Sequence, residues 1–130
     1  MPARFPAAVP EIPVSNIKPA TDYYIAALGF RLDWHSEADG IAGISQGDCR
    51  MFLADGPFRQ HRGNHNPVVI WLNLNSREEV DVLYRQWHGA GAQILAVPED
   101  KPWNLREFTA VDLDGNQFRV FYDFTRETRA

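Results

Sequence analysis

Residues Lys101 to Phe124 read KPWNLREFTAVDLDGNQFRVFYDF, and this stretch carries the clearest structural signal in the chain. The segments REFTAVD and QFRVFYD alternate apolar and polar residues, a pattern typical of half-buried strands. Between them, DLDGN predicts a tight turn, because aspartate side chains bond nearby backbone and Gly115 can adopt a positive φ. Trp103 does not fit this hairpin. It lies in a proline-flanked loop before the first strand, where no core position is predicted for so large a side chain.

The same order of elements occurs twice along the chain. The first half reads as a strand, AAVPEIPV, a helix, KPATDYYIAALGF, and three strands, FRLDWHS, IAGISQ and CRMFLAD. The second half reads as a strand, VVIWLNL, a helix, SREEVDVLYRQWHGAG, and three strands, AQILAV and the two of the opening stretch. A period of roughly 60 residues is too long for a solenoid repeat and indicates duplicated half-domains.

We therefore predict an α+β fold in which two βαβββ modules form a cupped mixed sheet. Residues 1–130 are expected to be one domain, with module one at about 7–55 and module two at about 67–124. The helices cover the outer face of the sheets, which leaves the other faces free to line a concave groove. The first strand, at 7–14, carries two prolines and is predicted at a sheet edge, because proline cannot donate to a ladder.

Strand parity assigns side chains to the two faces of each sheet. In VVIWLNL the more apolar set is predicted to meet the helices, so Trp71 points into the groove. The other predicted groove residues are Val9, Glu11, Arg50, Phe52, Val69, Asn73, Arg119 and Phe121. Trp87 falls on the apolar stripe of the second helix and is predicted in the core. Trp34 shares parity with Leu32, which places it in the core unless the strand bulges.

Composition narrows the class of partner. The formal net charge of −4 argues against nucleic acid, which needs a basic face, and slightly favours a neutral or cationic ligand. Cys49 is the only cysteine, so no internal disulfide can form. No stretch has the pattern of a signal peptide or a membrane span, which makes a cytoplasmic location the default expectation.

Four segments, AVPEIPVSNI, YYIAALGF, DVLYRQW and PWNLREFTAVDLDGN, together resemble the vicinal-oxygen-chelate superfamily, and the last is the most specific. That superfamily includes glyoxalase I, extradiol dioxygenases and bleomycin-resistance proteins, and the chain is most similar to the bleomycin-resistance branch. The resemblance implies two βαβββ modules that form a cup and two chains that pair to enclose two binding crevices. A homodimer is expected, with possible exchange of the N-terminal strand between chains.

The resemblance also bears on metal binding. Enzymes of the superfamily carry metal ligands on four groove-facing strands, and the matching positions here are Val9, Phe52 (or Leu53), Val69 and Arg119. None is a histidine or a carboxylate, and an arginine beside a divalent cation would be repelled. No metal or other cofactor is therefore expected. The pair His61 and His65 lies four residues apart, but Gly63 favours a loop that could close over the groove rather than a helical metal pair.

What the resemblance implies instead is a binding site for a flat molecule. The resistance proteins bind the flat aromatic part of bleomycin between aromatic side chains, and their groove tryptophans match Trp71 and Trp103. Their Asp-aromatic pair after LGF matches Asp33 and Trp34. The full set of expected ligand-binding residues is Asp33, Trp34, Phe52, Phe58, Trp71, Trp103, Arg119 and Phe121, with no catalytic residue. In this interpretation Trp103 is a lid that covers the ligand.

Two departures from the family pattern bear on this site. The family usually has glycine where this chain has Asn104, which affects how the loop turns and where Trp103 points. The family's drug binders are also more acidic, whereas this groove would carry Arg50 and Arg119, which makes bleomycin itself a poor candidate ligand.

The leading hypothesis is a metal-free protein that sequesters a small planar aromatic drug or natural product. The first alternative is a glyoxalase-like or dioxygenase-like enzyme on the same scaffold, or a metal-free lyase that uses Glu11, Glu107 or His35. The second is an accessory protein of a biosynthetic pathway.

Overall fold

The structure, a computed structural model, describes residues 3–59 and 66–128, with the side chains of Pro57, Phe58 and Thr128 outside the description. The Phe58 side chain and the loop containing His61 and His65 therefore lie outside the described residues. The elements are β1 (Glu11–Pro13), α1 (Ile17–Ala26), β2 (Arg31–Ser36), β3 (Ile41–Gln46), β4 (Cys49–Ala54), α2 (Gly56–Arg59), β5 (Val69–Asn73), α3 (Arg77–Gly89), β6 (Gln93–Asp100), β7 (Leu105–Val111) and β8 (Gln117–Asp123), followed by a 3-10 turn at Thr125–Thr128.

The strands form two four-stranded mixed sheets of identical topology. Their strand orders are β1-β4-β3-β2 and β5-β8-β7-β6. In each sheet the first strand pairs in parallel with the fourth, and the remaining neighbours are antiparallel. Each module thus has the order βαβββ, with the short helix α2 added after β4. The predicted fold class, α+β with two repeated modules, is confirmed.

The first strand differs from its prediction in length. It covers only Glu11–Pro13 rather than 7–14, although it does lie at the edge of its sheet. The Pro10 carbonyl accepts from the Phe52 amide at 3.0 Å, and the Val14 amide donates to the Ala54 carbonyl at 3.0 Å. Pro13 has no amide hydrogen to offer at the open edge, and Pro10 has none to offer to β4, which explains why this strand is short and terminal.

Both main helices begin at the residues that can cap them. The Ser76 Oγ accepts from the Glu79 amide at 3.0 Å, and the Glu79 carboxylate accepts from the Asn75 amide at 2.7 Å. The Asn16 side chain caps α1 by accepting from the Lys18 amide at 3.2 Å. Within the described residues, neither of these nor any other helix is long and apolar enough to cross a membrane.

One hydrophobic core joins the two modules. The Tyr24 ring of α1 packs edge-on against Phe118 of β8, with ring centroids 5.8 Å apart, and its hydroxyl donates to the Asp112 carboxylate at 2.6 Å. From α3, the Trp87 indole N–H donates to the Leu28 carbonyl at 3.0 Å. Tyr24 therefore ties the first helix to the second sheet, and Trp87 ties the second main helix to the residues just after the first.

Strand parity proves a reliable guide to the faces of β5, β4 and β8. The residues that alternate with the predicted groove residues, on these strands and at the two ends of β5, join the core. They are Met51, Leu53, Val68, Ile70, Leu72, Leu74, Phe118, Val120 and Tyr122. On the opposite side of β5, Val69 and Trp71 are about half exposed. Trp87 is buried among aromatic side chains, as its place on the helix stripe predicts.

Tyr24 makes the stability of the fold sensitive to alkaline pH. Burial, reinforced by the neighbouring Asp112, raises the pKa of the Tyr24 phenol far above its ordinary value. The folded chain keeps this proton, whereas the unfolded chain loses it above about pH 10. The contribution to stability is therefore complete below that pH and is lost as the pH rises.

We expect the free energy of unfolding to fall by about 1.4 kcal/mol per pH unit from this residue above about pH 10. The variant Tyr24→Phe should show a slope that is shallower by that amount, because it has no proton to lose. Urea unfolding of both proteins between pH 9 and pH 11 measures the difference. Equal slopes for the two proteins would contradict the prediction.

Candidate functional site

Five side chains on the side of the second sheet away from the helices are linked by contacts, and we call them the second-sheet face. They are Trp71 of β5, Trp103 of the β6–β7 turn, Glu107 of β7, and Arg119 and Phe121 of β8. Trp71 lies directly opposite Arg119 in the ladder, and Phe121 lies opposite Glu107. This register brings two rings and two charges together.

Glu107 is the centre of the second-sheet face. Its side chain is only 3% exposed, although it belongs to the face that carries exposed aromatic residues. One carboxylate oxygen accepts from the Trp103 indole N–H at 3.1 Å, and the other accepts from the Arg119 guanidinium at 3.3 Å. A buried carboxylate needs such partners, because losing them would leave an uncompensated charge. Glu107 therefore fixes the positions of both neighbours.

Trp103 occupies a tight turn rather than a long loop. The Asn104 amide donates to the Lys101 carbonyl at 3.0 Å, and the Lys101 amide donates to the Leu105 carbonyl at 2.8 Å. Pro102 at the second position suits the turn, since its φ is fixed near the required value. The Trp103 ring is 57% exposed, yet its N–H is held by Glu107. It is thus an exposed aromatic side chain with a defined position.

Asn104 takes the place that glycine would fill in this turn. Its φ is 66°, and it is the only non-glycine residue with positive φ among those described. Asparagine tolerates this left-handed conformation better than other side chains do. Asn104 therefore replaces the family's glycine without taking the turn out of the left-handed conformation that favours glycine.

Trp71, Phe121 and Arg119 form the other part of the second-sheet face. The rings of Trp71 and Phe121 meet edge-on with centroids 5.5 Å apart. The Arg119 guanidinium lies over the Trp71 ring, 5.2 Å from its centroid, which is within cation–π distance. Trp71 is 48% exposed, so part of its ring is open to a flat molecule.

The corresponding first-sheet face consists of Trp34, Gly43 and Phe52. A register shift between Leu32 and Trp34 sets Trp34 opposite Gly43, and the ladder sets Gly43 opposite Phe52. This bulge, one extra residue in β2, turns Trp34 out of the core that simple parity assigned to it. Its ring meets Phe52 edge-on at 5.2 Å and is 41% exposed. A Cβ at Gly43 would lie 2.5 Å from the indole, so only glycine leaves room for it.

Asp33 is the bulged residue beside Trp34. A hydrogen bond from the Ser45 hydroxyl, followed by one from Arg31, lowers the pKa of the Asp33 carboxyl. The Arg31 Nε lies 3.0 Å from a carboxylate oxygen, and both groups are solvated. Asp33 is therefore an anion at the margin of the first-sheet face.

The positions that match the superfamily's metal ligands carry side chains that do not fit a divalent cation. Val9 is half-buried, Val69 is half exposed, Phe52 packs on Trp34, and Arg119 is a cation. Within residues 3–59 and 66–128 no group of three or more His, Cys, Asp or Glu side chains could hold a metal ion. The carboxylates available to an enzyme mechanism have partners of their own, since Glu11 pairs with Arg59 and Glu107 with Arg119.

The structure brings most of the sequence-predicted residues into two clusters. Trp71, Trp103, Arg119 and Phe121 belong to the second-sheet face, and Trp34 and Phe52 to the first-sheet face, with Asp33 beside it. The sequence suggested Glu107 as a residue of a metal-free lyase, whereas the structure makes it the partner of both Trp103 and Arg119. The alternation of β7 puts Glu107 on the same face as Thr109, which lies opposite Arg119 in the ladder. This alternation was the signal that could have placed Glu107 beside Arg119.

Comparison with known proteins identifies the family. A family model described as the Glyoxalase/Bleomycin resistance protein/Dioxygenase superfamily matches residues 7–120. No curated protein matches the sequence. The family-model match agrees with the resemblance carried by the PWNLREFTAVDLDGN stretch.

Solved structures with the same fold cover nearly the whole chain. TioX from Micromonospora sp. ML1 is 22% identical with a TM-score of 0.76, over 91% of this chain and 99% of that one. A glyoxalase/bleomycin resistance protein/dioxygenase from Nocardioides is 18% identical with a TM-score of 0.76, over 93% and 85%. The bleomycin-binding protein of Streptomyces verticillus, solved with copper(II)-bleomycin, is 21% identical with a TM-score of 0.68, over 91% and 96%.

At these identities the structural likeness establishes the fold, while the family model spans most of the sequence. The two βαβββ modules and the matched residues lead to one assignment. The chain belongs to the glyoxalase/bleomycin resistance protein/dioxygenase superfamily.

Proposed function

We propose that this protein binds a small planar aromatic molecule, a drug or natural product, and sequesters it without metal chemistry. The observation that carries the proposal is the pair of exposed tryptophans on the second-sheet face. Trp71 and Trp103 are about half exposed, yet each is held by a defined contact with Arg119 or Glu107. Large rings fixed in solvent are typical of binding surfaces, because little side-chain entropy remains to be lost on binding.

The first-sheet face supports the same proposal. Trp34 and Phe52 form a second edge-on aromatic pair, and Gly43 gives the indole room to lie against the sheet. Stacking contributes about 0.5–1.5 kcal/mol per aromatic pair beyond the burial of area. Each face thus offers a flat ligand such contacts. The bleomycin-binding protein of S. verticillus shares this fold.

Removing a ring from the second-sheet face tests the proposal. We expect Trp103→Ala and Trp71→Ala each to weaken binding by about 2 kcal/mol, roughly thirtyfold in Kd, because an anchoring aromatic is truncated. Calorimetric titration with a panel of planar aromatic antibiotics measures Kd independently of tryptophan fluorescence. The matched control is Leu113→Ala, which removes an equally exposed apolar side chain from the β7–β8 turn.

Two outcomes would count against the proposal. One is the absence of binding by the wild-type protein to every member of a broad panel. The other is a Trp103→Ala variant that binds as tightly as wild type but melts far below it, which would make Trp103 a structural anchor.

We further propose that the protein is a homodimer in the cytoplasm, with possible exchange of the N-terminal strand. Residues 3–8 are exposed, and Phe5 is 95% exposed on this extended segment. The edge strand β1 is short, so a partner chain could lie beside it. Light scattering should give about twice the 14.8 kDa chain mass, and deletion of residues 1–9 should weaken the dimer. A monomer mass at micromolar concentration would contradict this.

A further inference from the structure

We propose that the ligand of the second-sheet face is an aromatic acid, and that Arg119 binds its acidic group while the ring lies against Trp71 and Trp103. The inference rests on the proposed function and specifies the chemical class of the ligand. Its basis is the way in which Arg119 and Glu107 share the face.

Most hydrogen-bond donors of Arg119 have no acceptor among the described residues. A guanidinium carries five N–H donors, and among the described residues Arg119 makes one hydrogen bond, the 3.3 Å contact to Glu107. This contact is long and uses a single nitrogen, unlike the two parallel bonds of a full arginine–carboxylate pair. The side chain is 38% exposed. Its remaining N–H groups are therefore available to a second acceptor.

The negative charge of Glu107 is not accessible to a ligand as the positive charge of Arg119 is. It is 3% exposed, and each of its two oxygens already accepts a hydrogen bond. A cationic ligand would thus meet the exposed guanidinium before it could reach the buried carboxylate. An anionic ligand meets the guanidinium directly and needs no rearrangement of Glu107.

The rest of the surroundings are electrically balanced. Lys101 lies 6.0 Å from the centroid of the Trp103 ring and pairs with the exposed Glu99 at 3.1 Å. Glu99 lies opposite Glu107 in the ladder, at the outer strand of the sheet. Lys101 thus has an exposed counterion, Glu99, whereas the counterion of the exposed Arg119 is the buried Glu107.

The overall charge of −4 favours a neutral or cationic partner. The charges that produce it, however, have little effect on a ligand bound at the second-sheet face. At physiological salt the Debye length is about 8 Å, so distant exposed carboxylates are screened from a ligand that touches Arg119. Contact with a planar guanidinium, which can donate two parallel bonds to a carboxylate, decides the local preference.

The position of the guanidinium also fits a ring with an acidic substituent. Arg119 lies 5.2 Å from the centroid of the Trp71 ring, which is roughly the distance of an aromatic contact. A ligand ring that lies beside Arg119 and contacts Trp71 can therefore bring an acidic substituent to the guanidinium. Carboxylate, phenolate and sulfonate groups share the chemistry that this donor recognises.

Three probes with one ring system and different charge test the inference. They are 2-naphthoate, 2-naphthamide and 2-naphthylmethylammonium, titrated by calorimetry at pH 7 and physiological salt. We expect 2-naphthoate to bind about tenfold or more tighter than the amide, as charge-assisted hydrogen bonds predict, and the ammonium probe to bind most weakly. The variant Arg119→Gln should abolish the difference between acid and amide.

Two further variants keep the result interpretable. Arg85→Gln removes the same charge from an exposed position on α3 and should keep the preference for the acid. If Arg119→Gln fails to fold because Glu107 is left unpaired, the double variant Arg119→Gln with Glu107→Gln removes both charges and should show no preference.

The outcomes separate the two proposals. Binding of the amide or the ammonium probe as tightly as the acid overturns the inference about Arg119 but leaves aromatic binding intact. A preference for the acid that persists in Arg119→Gln also overturns it. Absence of binding by all three probes at millimolar concentration overturns the inference, and the proposed function falls with it only if the panel of planar aromatic antibiotics also fails to bind.

Discussion

Replacing Trp87 by alanine is expected to lower the free energy of unfolding by about 3–5 kcal/mol, the usual cost of truncating a large buried aromatic side chain. Trp87 is 4% exposed and meets Phe108 and Phe118 edge-on, at 5.7 Å and 6.1 Å between ring centroids. The change also removes the hydrogen bond to the Leu28 carbonyl, which ties α3 to the end of α1. Urea unfolding followed by circular dichroism measures the effect.

Two other variants separate packing from hydrogen bonding at this residue. Trp87→Phe keeps most of the ring contacts and loses the bond to Leu28, so we expect an intermediate loss of about 1–2 kcal/mol. Trp71→Ala is the matched control, because it removes the same side chain from a position that is 48% exposed and should cost about 1 kcal/mol or less. A Trp87→Ala protein as stable as Trp71→Ala would show that α3 does not hold the two modules together.

Asn116→Ala is expected to destabilise the fold by about 3–5 kcal/mol, because it leaves several buried groups without partners. Asn116 is fully buried after the turn between β7 and β8. Its side-chain amide donates at 2.8 Å to the Pro13 carbonyl and at 2.8 Å to the Asp112 carboxylate. Its carbonyl oxygen accepts from the Val68 amide at 2.9 Å. One side chain thus connects the first strand of each module to the turn.

A matched pair of asparagines tests this interpretation. Asn73→Ala changes an exposed asparagine of β5 and should alter stability by no more than about 0.5 kcal/mol. Asn116→Asp retains an acceptor for Val68 but loses the two donors and adds a carboxylate beside Asp112, so it should be as destabilising as alanine. Thermal and urea unfolding of the three variants provide the comparison. Near-native stability of Asn116→Ala would mean that other contacts join the modules.

The sequence predicts the elements and the faces of this fold well, because each depends on local periodicity. Trp71 and Leu72 alternate between the two sides of β5 as any half-buried strand requires. The capping serine at Ser76 likewise acts within one turn of its helix. Such features need no knowledge of distant residues, and the structure confirms them.

Features that depend on a single inserted residue or on long-range contacts could not be predicted in the same way. The bulge at Asp33 changes the face of Trp34, yet alternation in the sequence continues through it. The irregular pairing of β6 around Pro98 lets that strand run to Asp100, beyond its predicted end. The partners of the buried Glu107 are Trp103 of the β6–β7 turn and Arg119 of the neighbouring strand, which alternation within β7 does not reveal.

The position of the Trp34 ring on the first-sheet face depends on Gly43, a residue that need not touch a ligand. Because a methyl group there would stand 2.5 Å from the Trp34 indole, every substitution pushes the ring away from the sheet. The displaced indole would reduce the depth available above Phe52. Under the proposed function, the residue at position 43 would therefore limit how thick a ligand can lie over Phe52. A substitution there would change which ligands fit, although the aromatic residues themselves stay the same.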